Sequence, residues 1–168
     1  KRAKYFVYDR TTTKTSLLFG SKVQEPKFAP DGSKVAFVFE RNLYIKNLEE
    51  NSIEQITSNG SEHIINGLTD WVYEEEFGFV KAFDWNKSGD KIAYIRFDET
   101  NVPEFSMDIM GEELYPTEQV FKYPKAGEEN AKVSLHIYDL ASDTSSNVAI
   151  SSFNNYYIPR IKWTEENY

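Results

Sequence analysis

The chain has 168 residues, 15% of them aromatic, and carries 19 Lys and Arg against 27 Asp and Glu, a formal net charge of -8. That length suits one ordinary domain or part of a larger one, and the acidic balance argues against nucleic acid, whose phosphates need a basic surface. No cysteine is present, which removes disulfides and thiolate metal sites, and no apolar run approaches the roughly 18 residues of a membrane helix.

In chain order, apolar residues come in short aromatic clusters, a β pattern. Tyr5-Phe6-Val7-Tyr8-Asp9-Arg10 reads as a strand, followed by a polar turn and a second strand at Leu17-Leu18-Phe19. Phe28-Ala29-Pro30-Asp31-Gly32-Ser33-Lys34-Val35-Ala36-Phe37 is a hairpin: an aromatic strand end, a polar Gly turn, then alternation. It is echoed by Trp85-Asn86-Lys87-Ser88-Gly89-Asp90-Lys91-Ile92-Ala93-Tyr94, and Ile161-Lys162-Trp163-Thr164 opens like a third copy. The first strand motif also recurs, at Leu43-Tyr44-Ile45-Lys46-Asn47-Leu48 and Leu135-His136-Ile137-Tyr138-Asp139-Leu140. The first two copies start 38 positions apart; the next interval of 92 contains two excursions, near 58–80 and 98–130. Without them the period is near forty, the length of one four-stranded propeller blade.

The expected fold is therefore all-β, a fragment of a β-propeller with about two complete four-stranded blades, partial flanking blades and a short helical insertion near 70–80. The expected boundaries are 5–19 for the end of one blade, 23–57 for a blade and 58–80 for an insertion. A second blade covers 81–150 with an arm at about 98–130, and 158–168 starts the next. A β-sandwich also gives many short strands, but not this repeated hairpin. Both termini cut through strand-like sequence, so the chain is expected to be a piece of a longer protein. Any targeting signal would lie outside it, and its raw strand edges are expected to drive oligomerisation or strand swapping.

The first excursion contains Asp70-Trp71-Val72-Tyr73-Glu74-Glu75-Glu76-Phe77. Asp70 is a good N-cap residue, and the spacing predicts a short helix whose buried side carries Trp71, Val72, Phe77 and Val80. The acids then fall in the first two turns, where the helix dipole favours negative charge. A solvated acidic face explains that much. A functional role needs a ligand that gathers adjacent carboxylates: Glu75 and Glu76 point about 100° apart on a helix, yet both reach one small cation held off its end. An ammonium suits, with three donors and a unit charge, and a peptide α-amino group with a pKa of about 7.7–8.0 is mostly charged at neutral pH. Calcium is a rival, without the EF-hand spacing. The second excursion, with Phe105, Met107, Ile109, Val120 and Phe121 in alternation, reads as an extended arm, either a surface elaboration or a contact surface for another subunit or domain.

Covalent chemistry is not visible. The chain has no Gly-x-Ser-x-Gly elbow, Walker loop, dinucleotide fingerprint or His/Cys metal spacing. No cofactor is expected. His136 sits inside a repeated strand, where a packed or surface role fits better than a catalytic base, and His63 lies in a polar stretch without a Ser or Cys partner.

The run D-W-V-Y-E-E-E-F, the Trp85 hairpin, R-F-D-E-T-N-V-P and Y-P-K-A-G-E-E-N together resemble the N-terminal β-propeller of dipeptidyl peptidase IV-type enzymes. These are serine exopeptidases of the prolyl oligopeptidase group. The likeness spans most of the chain and is strongest from Asn66 to Leu140. It implies an eight-bladed propeller covering an α/β-hydrolase domain, with the Ser-Asp-His triad in that second domain, downstream of Tyr168. It implies that the substrate-binding acids are Glu75 and Glu76, the second and third of the run, with Glu74 a neighbour. The family's carbonyl-holding arginine falls before Lys1, and Arg2 does not replace it. The arm at roughly 98–123 matches an insertion that contributes to a homodimer. Peptides with a free N-terminus are the implied substrates, and placement is implied to be periplasmic, secreted or at the cell surface. The implied mechanism is a ruler: two extended residues span about 7 Å, so acids that grip the α-amine present the second peptide bond for attack. Two other readings remain, a non-catalytic protein-binding propeller and a tripeptidyl or other aminopeptidase of the same group.

Overall fold

The computed structural model describes residues 1–150 and 156–165. Strands β1 (Phe6–Asp9) and β2 (Lys14–Leu17) form a separate hairpin. Strands β3 (Gln24–Phe28), β4 (Lys34–Phe39), β5 (Asn42–Asn47) and β6 (Ile53–Gln55) make a four-stranded antiparallel sheet in chain order. A second sheet holds β7 (Ile64–Asn66), β8 (Phe83–Trp85), β9 (Lys91–Asp98), β12 (Lys132–Asp139) and β13 (Thr144–Asn147). Helix α1 (Trp71–Glu75) lies between β7 and β8, and β10 (Glu104–Ile109) pairs only with β11 (Thr117–Lys122) as the arm.

The turn chemistry explains why the hairpins repeat. Gly32 and Gly89 both take positive φ, +75° and +71°, the region that a side chain penalises. Gly32 N–H donates to the Ala29 carbonyl and Gly89 N–H to that of Asn86. Asp31 in one turn, and Asn86 with Asp90 in the other, accept from neighbouring backbone amides and hydroxyls and lock the bend.

Packing follows a stack of blades. In β4 the side chains alternate between two faces, and both faces are buried. Val35 and Phe37 join Leu18 and Val23 in one core against the β1–β2 side, ringed by Phe19 and Tyr44. Ala36 and Val38 join Leu43, Phe83, Trp85, Ile92 and Tyr94 in the core shared with the second sheet. A sheet that buries both faces against neighbouring sheets is what a propeller blade is. The Trp85 indole donates to the Lys27 carbonyl at 3.2 Å, and the Trp163 indole donates to the Asp84 carbonyl at 3.0 Å. Each acceptor sits one residue before the preceding blade's matching aromatic, Phe28 or Trp85, so the blade-to-blade link itself repeats. Lys27 also pairs with Asp84 across the same interface.

The all-β fold expected from the repeats is present: a propeller fragment with two whole sheets, flanking pieces and a short helix. Three details differ from expectation. First, the 58–80 stretch is not wholly outside the blades, because Ile64–Asn66 pairs with the far end of β9 (Ile64↔Asp98) while β8 pairs with its near end (Trp85↔Ile92). The edge strand is split, and residues 67–82 bud out of the gap. Second, the helix ends at Glu75, and its buried residue is Tyr73; Trp71, Val72 and Val80 are only partly covered and Phe77 is exposed. One turn and a half has no full stripe to bury, and Gly78 at φ +70° ends it. Third, residues 156–164 carry no strand, because among the described residues no ladder partner lies beside them. Positions 166–168 of the expected opening strand lie outside the described residues.

Candidate functional site

The Glu run stands on a pedestal. At its base Gly67 N–H donates to Ile95 O at 3.1 Å, Ala82 N–H to Gly67 O at 3.0 Å, and Ile95 N–H to Ala82 O at 2.9 Å. Leu68 bridges Lys81, and the Thr69 amide and hydroxyl donate to the Val80 and Phe79 carbonyls. Gly67 is required twice over: its φ is +74°, and a Cβ there would meet Leu43 and Val38 side chains at 3.2 Å.

At the tip, Asp70 Oδ1 accepts from the Tyr73 amide at 3.0 Å, the N-cap bond expected from the sequence. Tyr73 is 1% exposed, while Glu74, Glu75 and Glu76 all face solvent. Among the described residues no cation pairs with any of the three. Three adjacent carboxylates are thus held on a hydrogen-bonded support without a counterion among the described residues.

Beside the helix is a cleft of about 680 Å³ between α1, the Arg41 turn and the arm. Glu74 lines it; Glu75 and Glu76 do not. Its floor holds Glu99, only 5% exposed, with Arg41 Nη1 at 3.4 Å from its carboxylate. Burial pushes the Glu99 carboxyl up to about 7, with Arg41 pulling the other way and Asp70 adding to the rise. Burial also raises Asp70 above the usual carboxylate range, against the Tyr73 amide. The Tyr73 hydroxyl is pushed up to about 12 by burial. Among the described residues, no group of three or more His, Cys, Asp or Glu has metal-binding geometry.

Neither histidine joins the site. His136 stacks on Tyr94 at 5.2 Å and shares a hydrogen bond with Ser134 Oγ. The His63 backbone carbonyl accepts from the Glu99 amide, while its Nδ1 is buried without a partner. Sequence reasoning missed Arg41, Glu99 and Tyr73. Glu99 lies within R-F-D-E-T-N-V-P, so the motif was visible although its role was not. Nothing in the order of residues brings Arg41 to it across 58 positions. Trp71 contacts Tyr123 of Y-P-K-A-G at 4.5 Å, so two of the quoted motifs meet in space.

The sequence profile of the dipeptidyl peptidase IV (DPP IV) N-terminal region matches residues 1–168. A probable dipeptidyl-aminopeptidase B of Chaetomium globosum is 38% identical over 89% of this chain and 18% of that protein. One from Trichophyton verrucosum is 40% identical over 77% of this chain and 16% of that protein. The crystal structure of Porphyromonas gingivalis dipeptidyl peptidase 4 superposes with a TM-score of 0.89 at 40% identity, over 95% of this chain and 23% of that one. A putative dipeptidyl aminopeptidase IV from Bacteroides ovatus, 23% identical with a TM-score of 0.72 over 98% of this chain and 22% of that one, shares the fold. The chain thus spans less than a fifth of the length of these curated relatives. With the profile matched from end to end, the chain belongs to the dipeptidyl peptidase IV N-terminal region family.

Proposed function

We propose that this chain is the substrate-gating propeller segment of a serine-type dipeptidyl peptidase. The enzyme removes Xaa-Pro or Xaa-Ala dipeptides from peptides, and Glu75 and Glu76 grip the substrate's α-ammonium. The observation that carries this reading is the acid run itself, exposed and without a protein counterion among the described residues, on a support pinned by Gly67, Asp70 and Tyr73. A merely solvated acidic face needs no such support.

The chemistry follows from charge and reach. An ammonium donates three hydrogen bonds, and charge-assisted bonds to carboxylates are about twice as strong as neutral ones. The pedestal buds from the edge strand of its blade, and propeller blades stand around a central channel; in this reading that edge faces the channel. From the amine, two extended residues reach about 7 Å, which sets the second peptide bond at the nucleophile of an α/β-hydrolase domain of the same protein. The acids contribute by orientation, which supplies a large share of a catalytic advantage without touching the bond. The arm, with Met110, Leu114 and Tyr115 exposed near its tip, is the proposed homodimer contact, and the protein acts outside the cytoplasm.

The test is Glu75→Gln and Glu76→Gln, singly, in the full-length protein, with Glu74→Gln as control. Each of the first two lowers kcat/KM on a dipeptidyl-proline substrate about a hundred-fold, as truncating one partner of a desolvated charge pair does; the control changes it little. Undiminished kcat/KM in the Glu75 and Glu76 variants refutes the assignment, and a tripeptide product in mass spectrometry moves the anchor rather than the acids.

A further inference from the structure

Helix α1 is five residues long, far below the roughly 12–15 at which an isolated helix sustains itself. Its placement therefore comes from its contacts, and Tyr73 is its buried residue. The Tyr73 ring meets Phe97 of β9 edge-on at 4.8 Å and Phe77 at 4.9 Å. At the far end of the side chain, the hydroxyl accepts a 2.8 Å hydrogen bond from the Ile158 amide. That amide belongs to the segment leaving the second sheet, 85 residues away in sequence. Tyr157, next to it, sets its ring against Phe77 at 5.4 Å, and its hydroxyl accepts from Asn130 Nδ2. Glu75 and Glu76 lie between Tyr73 and Phe77 in the chain, and that segment touches both flanking rings: Tyr157 meets Tyr73 and Phe77, and Ile158 bonds the Tyr73 hydroxyl.

We infer that Tyr73 is a positioning residue for Glu75 and Glu76: through its hydroxyl, the Tyr157-Ile158 segment sets where the two carboxylates stand. The inference rests on the amine-anchor reading above. A ruler needs a fixed origin, and a five-residue helix tethered to its own blade alone can rock about the Gly67–Ala82 base. The Tyr73 hydroxyl adds a second point of attachment on a different part of the chain, and two points remove that freedom. An unmade bond here also leaves a buried amide without an acceptor, so the contact is held tightly.

The experiment compares two competitive inhibitors of the full-length protein, an aminoacyl-pyrrolidide carrying the α-ammonium and its desamino counterpart. The ratio of their inhibition constants reads the grip on the amine and is indifferent to a general loss of active enzyme. Tyr73→Phe keeps the ring and removes the acceptor; the preference for the ammonium form falls about ten-fold, in line with the sensitivity of bound geometry to small displacements. Tyr157→Leu, at a half-exposed position, weakens the same clamp without touching the buried bond and lowers the preference in the same direction. It also carries the test if Tyr73→Phe does not fold. The inference is overturned if the ratio is unchanged in these variants while Glu75→Gln and Glu76→Gln lower it. If the Glu variants leave the ratio unchanged too, the amine-anchor reading is what fails.

Discussion

Glu99 shows how far one residue's environment governs its charge. It is 5% exposed, and although Arg41 lies 3.4 Å away, burial outweighs that attraction and lifts its carboxyl to about 7 from an ordinary 4.5. The folded protein therefore binds this proton more tightly than the unfolded chain does. The stability it contributes is fully present below about pH 4.5 and is lost as pH rises through about 7. Glu99→Gln mimics the protonated group at every pH, so its melting temperature gains on that of the natural protein between about pH 5 and pH 8. The gain corresponds to as much as about 3 kcal/mol; parallel curves contradict the assignment. Some of this scale was legible in the sequence and some was not. Asp70 was readable as a cap because N-caps select a side-chain type. The buried member of Trp71-Val72-Tyr73 was not readable, because all three are apolar or aromatic and only the tertiary contact with Phe97 and Ile158 chooses among them.

At the level of elements, the pedestal is a hairpin inserted into a strand. β7 and β8 pair with successive stretches of β9, and the chain leaves and rejoins that line at Gly67 and Ala82. The sequence marks the excursion by its break in the repeat, but a three-residue strand such as Ile64–Asn66 is too short to show a period. The spacing therefore assigns the first half of the split strand to the insertion. Gly67 is the hinge of the arrangement. Gly67→Ala forces a side chain into the left-handed region and against Leu43 and Val38, at a cost of about 2 kcal/mol. Chemical denaturation of the natural and substituted proteins measures it, and an unchanged midpoint shows that the turn relaxes elsewhere. The hairpin turns at Gly32 and Gly89 were legible for the opposite reason: each combines a glycine with Asp, Asn or Ser at the offsets a tight turn demands.

On the scale of the whole molecule, the repeat is what holds the blades in sequence. Trp85 and Trp163 donate to equivalent carbonyls of the blades before them. Trp85→Phe keeps most of the packing and removes one such bond, which costs about 1 kcal/mol; a variant as stable as the natural protein shows the link to be incidental. The repeat spacing discloses this architecture because both whole sheets solve the same packing problem with residues of the same kind, an aromatic strand end, a Gly turn and an alternating strand. The Glu run has no copy in the other blade, so periodicity is silent about it; its three adjacent carboxylates mark it out in the sequence, and the likeness of D-W-V-Y-E-E-E-F to a family motif supplies the role expected of it. The central claim is that Glu75 and Glu76 receive the charged front end of a peptide. A crystal structure of the full-length protein with an aminoacyl-pyrrolidide bound tests it directly. The account predicts the ligand's ammonium nitrogen at about 3 Å from both carboxylates, with the pyrrolidide turned toward the hydrolase nucleophile. An ammonium lodged elsewhere, with Glu75 and Glu76 still facing open water, contradicts it.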